Sequence, residues 1–249
     1  MNQSLQVTCK NCGHQYEGNY CNICRQSAET HRFSWKEIAH FLLHAITHAD
    51  KGIFHTIRGL FLRPGKTILD YLEGKRIYHF NPLMFIILVG GMTTFLFSVL
   101  HLNPPNEEIE LAKIEVFNPA LAHKYFAAVG LLFIIMLTAT DYFFYYDKKF
   151  LLPELLISNT FQAGQIMVFT IAMIPLFLLQ NFILQKSGVN IEFRLALKAL
   201  TMAFLFFTRF QFYQAKGKYW LTSKIAIQLI IVYMIHNLVI AKAIANWQG

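Results

Sequence analysis

Four cysteines, Cys9, Cys12, Cys21 and Cys24, are the residues of this chain best placed to do chemistry, and no cysteine occurs elsewhere. They form two C-x2-C pairs close together in sequence. Each pair can turn two thiolates toward one ion, and two pairs complete the tetrahedron that Zn2+ prefers. Gly13 relieves the tight turn after the first pair, and Arg25 stands at the equivalent place after the second. So short a module cannot build a hydrophobic core, so a metal must hold it together. The expectation is a structural zinc ribbon over residues 1–30. Two disulfides and a rubredoxin-type iron site are the alternatives. Four thiolates leave no open coordination position, so no catalysis is expected there, and His14 is read as a surface residue.

A second candidate is the stripe His40, His44, His48, which recurs at i, i+4 and i+8 along one helix face. Such spacing suits a metal and is the one feature on which an enzyme would rest. The stripe has no carboxylate cluster beside it. Its other reading is a polar edge that gains charge near pH 6 and then grips anionic lipid or a partner. Deeper in the chain, Asp141 and Arg209 fall at similar distances from the same end of two apolar runs. They are expected to form an intramembrane ion pair, against the alternative that each snorkels to the interface separately. The amides Asn159, Gln162 and Gln165 step along the next run, and Gln228 lies in the last. They read as glue between helices, with a wet cleft as the alternative.

The elements that must position these groups follow from periodicity and breakers. Residues 33–63 read as an amphipathic helix with Ser34 and Glu37 at capping-box spacing, Phe33 and Ile38 as a staple, and an interruption at Gly52. Pro64-Gly65 reads as a turn, Thr67 to Glu73 as a short helix with Gly74 just past its end, and Asn81-Pro82 as the start of the next helix. Arg58, Arg63, Lys66, Lys75 and Arg76 alternate here with aromatic and aliphatic residues. That pattern suits a segment lying on anionic lipid headgroups, or a basic flank that only sets topology.

The stretch PGKTILDYLEGKRIYHFNP, Pro64 to Pro82, resembles the signature of an uncharacterised bacterial membrane family, domain of unknown function 3667. The matching positions are Pro64, Gly65, Tyr71, Gly74, Lys75, Arg76, Tyr78, Asn81 and Pro82. The resemblance implies a short N-terminal cysteine module, several membrane spans and a bacterial inner-membrane location. It implies no reaction.

Composition agrees. The 249 residues are 55% hydrophobic and only 14% charged, with 24 Phe, which excludes an ordinary soluble domain. Five apolar runs, about 83–101, 125–146, 158–183, 195–213 and 223–245, approach the ~20 residues a spanning helix needs. The fold class expected is therefore an all-α integral membrane protein of three parts: the ribbon at 1–30, a basic juxtamembrane segment at 31–82 and a bundle at 83–249. The run at 195–213 is the weakest span, since it carries Lys198 and Arg209.

No cleaved secretory signal is expected, because the first thirty residues contain no apolar stretch. With the N-terminus inside, 16 of the 22 Lys and Arg fall on the inner side, which predicts N-in, C-out and places the thiols in the reducing cytoplasm. The net charge of +8 clusters beside apolar runs, and the ribbon carries only Lys10 and Arg25 against Glu17, so nucleic acid is not an expected partner. No P-loop, dinucleotide fingerprint or nucleophile elbow appears. The leading expectation is an adaptor or scaffold, with a protein partner at the ribbon, the bilayer beneath it and homo-oligomerisation open. A transporter or channel is the alternative.

Overall fold

A computed structural model describes residues 6–28, 30, 32–35, 52–100, 119–145, 150–187, 193–214 and 217–245. The stripe His40, His44, His48 and the acidic stretch 102–118 lie outside these residues. The described residues are mostly helical, with seven helices and one two-stranded sheet.

The N-terminal module is small. β1 (Val7–Thr8) pairs antiparallel with β2 (Gln15–Tyr16), Val7 facing Tyr16 and Thr8 facing Gln15. A single bridge joins Tyr20 to Ser27. Its interior amounts to Cys9, Tyr16 and Cys21, with Val7, Cys24 and Ala28 partly buried around them.

α1 (Ile53–Leu62) and α2 (Pro64–Leu72) form a helical hairpin. The interruption expected at Gly52 is the start of α1. Pro64-Gly65 is not a free turn. Pro64 occupies the first position of α2, where its fixed φ and missing N–H are tolerated, so the helix begins three residues earlier than Thr67. α2 ends in a Schellman motif: Gly74 N–H donates to the Tyr71 carbonyl and Lys75 N–H to the Asp70 carbonyl, with Gly74 at φ +102°.

One face of the hairpin is buried through Thr56, Leu60, Thr67, Ile68, Tyr71 and Leu72. The segment is therefore wedged into the bundle rather than laid flat. The wedge is tight at Gly65. A Cβ there would collide with the Phe212 backbone nitrogen and stand 2.5 Å from the Gln211 Cβ.

Five longer helices follow. They are α3 (Pro82–Val99), α4 (Pro119–Phe144), α5 (Leu152–Ser187), α6 (Phe193–Phe212) and α7 (Tyr219–Ala245). Asn81 caps α3, its side-chain oxygen accepting from Leu83 N–H at 2.9 Å, and Pro82 follows at N1. α5 begins six residues before the expected 158 and runs through Pro175 without ending. α3 and the Leu152–Leu179 part of α5 are long and apolar enough to cross a bilayer.

The burial pattern of the bundle is inverted. Large apolar side chains face outward, among them Ile87, Phe95, Phe143, Phe182, Ile230 and Met234. Asp141, Glu154, Ser158, Asn159, Gln162, Gln165, Thr208, Arg209 and Gln228 are buried. An apolar core of Phe33, Leu60, Ile68, Phe85, Phe161, Phe212 and Ile225 packs around them.

Candidate functional sites: a metal centre, its seat and a buried polar pin

The four cysteines converge. Their sulfurs all lie within 4.8 Å of one another, with Cys9–Cys24 at 3.5 Å and Cys12–Cys21 at 3.6 Å. A disulfide would bring two sulfurs to ~2.05 Å, so these are free thiols. A tetrahedral ion with metal–sulfur bonds of ~2.3 Å needs sulfurs about 3.8 Å apart, close to the 3.5 and 3.6 Å of these two pairs. The residues present fit a metal.

The two knuckles are built alike. Cys9 N–H donates to the His14 carbonyl and Gly13 N–H to the Cys9 carbonyl; Cys21 N–H donates to Gln26 and Arg25 N–H to Cys21. Gly13 at φ +76° and Arg25 at φ +63° occupy the same left-handed position. Burial pushes the Cys21 thiol up. Backbone N–H groups of Cys24 and Ile23 and the neighbouring thiols of Cys12 and Cys24 outweigh this and bring it down to about 7, while the Cys12 thiol is pushed up to about 12, so one thiolate is stabilised at the expense of its neighbour.

The module is seated on the bundle through the GKR stretch. The Gln26 side chain accepts from Arg76 N–H at 3.1 Å. The Arg76 guanidinium lies 4.0 Å over the Phe33 ring, and Phe33, fully buried, stacks on Tyr71 at 5.6 Å. Lys10 donates to the Thr30 carbonyl, and both pack beside Gly74. Phe33 is thus a docking residue; Ile38, its expected staple partner, lies outside the described residues.

Arg32 then grips the start of α5. Its Nε and Nη2 reach the two Glu154 oxygens at 2.7 and 2.6 Å. Glu154 also accepts from Leu151 N–H at 2.8 Å, half of a capping box. Arg32, Gln26 and Glu154 had no role in the sequence reading, and Phe33 entered it only as half of a staple. Only the Leu151–Glu154 spacing carried a signal.

Of the five basic residues expected on lipid, two are engaged by groups of the protein itself. Lys75 pairs with Asp70 at 2.5 Å and Glu73 at 3.6 Å, and Arg76 serves the seat. Arg58, Arg63 and Lys66 are exposed.

Inside the bundle, Arg209 Nη1 stands 2.5 Å from Asp141 Oδ1 and Nη2 3.2 Å from Oδ2, a two-pronged pair with both residues buried. Asn159 and Gln228 complete it. The Asn159 amide donates to Asp141 at 2.7 Å and its oxygen accepts from Arg209 at 3.0 Å. Gln228 does the same on the other side, at 2.7 and 2.8 Å. Each carboxylate oxygen receives two bonds. The four residues come from α4, α5, α6 and α7, so one polar pin joins four helices. Thr138, Thr140 and Gln162 extend it at 3.2, 3.0 and 3.1 Å.

Gln165 does different work. Leu60 would lend its carbonyl to the N–H of residue 64, but Pro64 has none. Gln165 Nε2 supplies that bond at 2.6 Å, and its oxygen accepts from Thr208 at 3.3 Å. A proline in the hairpin is thereby matched by an amide on α5.

These features define a helical protein with a cysteine metal-type module seated on its bundle. Within it, residues 50–94 match the model of a protein family of unknown function, DUF3667. No curated protein and no solved structure matches the chain. The matched residues span the hairpin, the seat for the ribbon and α3 as far as Thr94.

Proposed function

We propose that this chain is a multi-pass protein of a bacterial inner membrane, with a structural Zn2+ in a cytoplasmic ribbon, acting as a scaffold for a partner that docks on that ribbon. The inverted burial of the bundle carries the membrane reading. Arg209 and Gln165 are inside while Phe95 and Met234 are more than 60% exposed. In water that arrangement leaves a large apolar surface unsatisfied; in hydrocarbon it is the favourable one.

Five crossings fit the helix ends. Arg32 meets the start of α5, Gly65 the end of α6, and Lys224 near the start of α7 donates to the Phe144 carbonyl at the end of α4. All these ends gather on the ribbon's side, which alternating helices require. Lys and Arg excess puts that side in the cytoplasm. The closed four-thiolate set leaves no open position for a catalytic metal, and a structural Zn2+ is the ion this reading assigns to it.

The docking reading rests on the second knuckle. While Gln26 and Phe33 face the bundle, Tyr20 and Ile23 beside Cys21 are 67% and 66% exposed. Purification from gently solubilised membranes would compare the intact protein, Cys9→Ser/Cys12→Ser and Tyr20→Ser/Ile23→Ser. A partner held by the intact protein, and lost from the Tyr20/Ile23 variant at unchanged zinc content near one ion per chain, supports the scaffold. The same partner in all three samples, or none in any, overturns it.

Transport is a second reading. Arg209 Nε, the Tyr145 and Tyr213 hydroxyls and Gln162 Oε1 are buried beside the polar pin with no partner among the described residues. A proton or small polar species is the cargo such groups would pass. Flux into liposomes that vanishes in Tyr213→Phe would favour it over the scaffold.

A further inference from the structure

The hairpin divides its basic residues sharply. Lys75 and Arg76, at the ribbon end, are consumed by Asp70, Glu73, Phe33 and Tyr71. Arg58, Arg63 and Lys66, near its tip, are exposed, and none makes an ion pair with a described residue. Phe54 and Leu62 flank Arg58 at i−4 and i+4 on α1, and are 81% and 67% exposed.

The depth of this face follows from its contacts. Leu60 meets Gln165, thirteen residues into α5, and the Phe61 ring lies 5.8 Å from that of Phe204, eight residues before the end of α6. Gly52 and Gly74, at the opposite end of the hairpin, abut Tyr78 and the ribbon's Lys10. Gly65, between Arg63 and Lys66, abuts Gln211 and Phe212 at the end of α6, so the tip of the hairpin lies at the ribbon-side end of that helix, with Leu60 and Phe61 reaching deeper. Three cations without an ion pair among the described residues, beside two outward apolar side chains and next to the end of an apolar helix, match the boundary between phosphate and acyl chain.

We infer that Arg58, Arg63 and Lys66, framed by Phe54 and Leu62, form a binding face for an anionic phospholipid of the inner leaflet. The cations hold the headgroup phosphate and the two apolar side chains enter the acyl boundary. The inference rests on the membrane reading and sharpens it to three charges of the five that the sequence offered. A free anion would not engage Phe54 or Leu62, which is why the occupant is a lipid.

The test uses the full chain in nanodiscs of phosphatidylcholine containing a minor fraction of phosphatidylglycerol, with retained lipids counted by native mass spectrometry. The intact protein is expected to retain phosphatidylglycerol in preference. Each Gln at Arg58, Arg63 or Lys66 should weaken retention about fivefold, as one basic residue near an anionic surface does. Lys75→Gln should leave it unchanged.

Phe54→Ser/Leu62→Ser should lower retention with all charges kept. Equal retention by R58Q/R63Q/K66Q and the intact protein overturns the lipid face. So does loss in Lys75→Gln as large as in the triple variant. Release of the intact chain from membranes by alkaline carbonate overturns the membrane reading and the lipid face together; a carbonate-resistant chain without lipid preference overturns the face alone.

Discussion

At the scale of single residues, the polar pin and the knuckles decide most. Asp141 and Arg209 are buried together, so removing one strands the other without water. Arg209→Met is expected to destabilise by about 3–5 kcal/mol. The double change Asp141→Leu/Arg209→Met should recover much of that loss, because two buried charges disappear together. Thermal unfolding in detergent checks both, and a double variant no more stable than the single would argue against a pair that acts as a unit.

Arg25 is held in a left-handed conformation that costs an L-residue about 1–2 kcal/mol. Arg25→Gly should strengthen the ribbon by roughly 1 kcal/mol, read as a slower loss of metal to a chelator. His79 sets a pH limit. Burial, with the neighbouring His55 and Arg63, pushes its imidazole down to about 4, and Asp70 only partly opposes this. The unfolded chain takes up that proton below pH ~6.5 and the folded chain only near pH 4. Stability from this group is therefore complete above pH ~6.5 and falls by up to about 3 kcal/mol on acidification toward pH 4. His79→Phe, which keeps the ring against Tyr71, should flatten that part of the stability profile.

At the scale of elements, the hairpin shows what a sequence does and does not disclose. The Gly52 interruption, the Gly74 ending and the Asn81-Pro82 start were legible, because each depends on a residue's own backbone preference. So was the clustering of four cysteines, which spacing alone dictates. The insertion of the hairpin was not legible. It depends on Gly65 meeting Phe212 and on Gln165 meeting Leu60, pairs more than a hundred residues apart.

The same limit applies to the polar pin. Asp141, Arg209, Asn159 and Gln228 each stood out as polar in an apolar run. The pairing of Asp141 with Arg209 was expected from their matched depth; that Asn159 and Gln228 bond the same carboxylate follows only from four helices packing at one level. The Pro64–Gln165 match gives an element-scale prediction. Gln165→Leu leaves the Leu60 carbonyl buried without a donor and should cost about 1–3 kcal/mol. Proteolysis near Arg63 should quicken, and Pro64→Ala in the Gln165→Leu background should restore part of the protection by returning an N–H to that carbonyl.

At the scale of the whole molecule, the ribbon and the bundle share one interface, so a metal held by the four cysteines would be energetically coupled to the helices. Two ties matter most: Phe33 stacked on Tyr71 beneath Arg76, and the Arg32–Glu154 pair. Glu154 is buried while Arg32 is 57% exposed in its side chain, so the tie favours the bundle more than the linker. If a metal organises the four cysteines, its loss would remove the fold that holds Gln26, Thr30 and Phe33 in register.

Removal of the metal by a chelator should therefore raise hydrogen exchange not only in residues 6–28 but also in Leu69–Arg76 and at the first turn of α5. Arg32→Ala should expose that first turn while leaving the metal and its affinity in place. If chelation loosened residues 6–28 alone, the module would be a tethered passenger; if exchange rose in the bundle as well, the ribbon is a strut, and a partner that pulls on Tyr20 and Ile23 would act on the helices through Arg76 and Glu154.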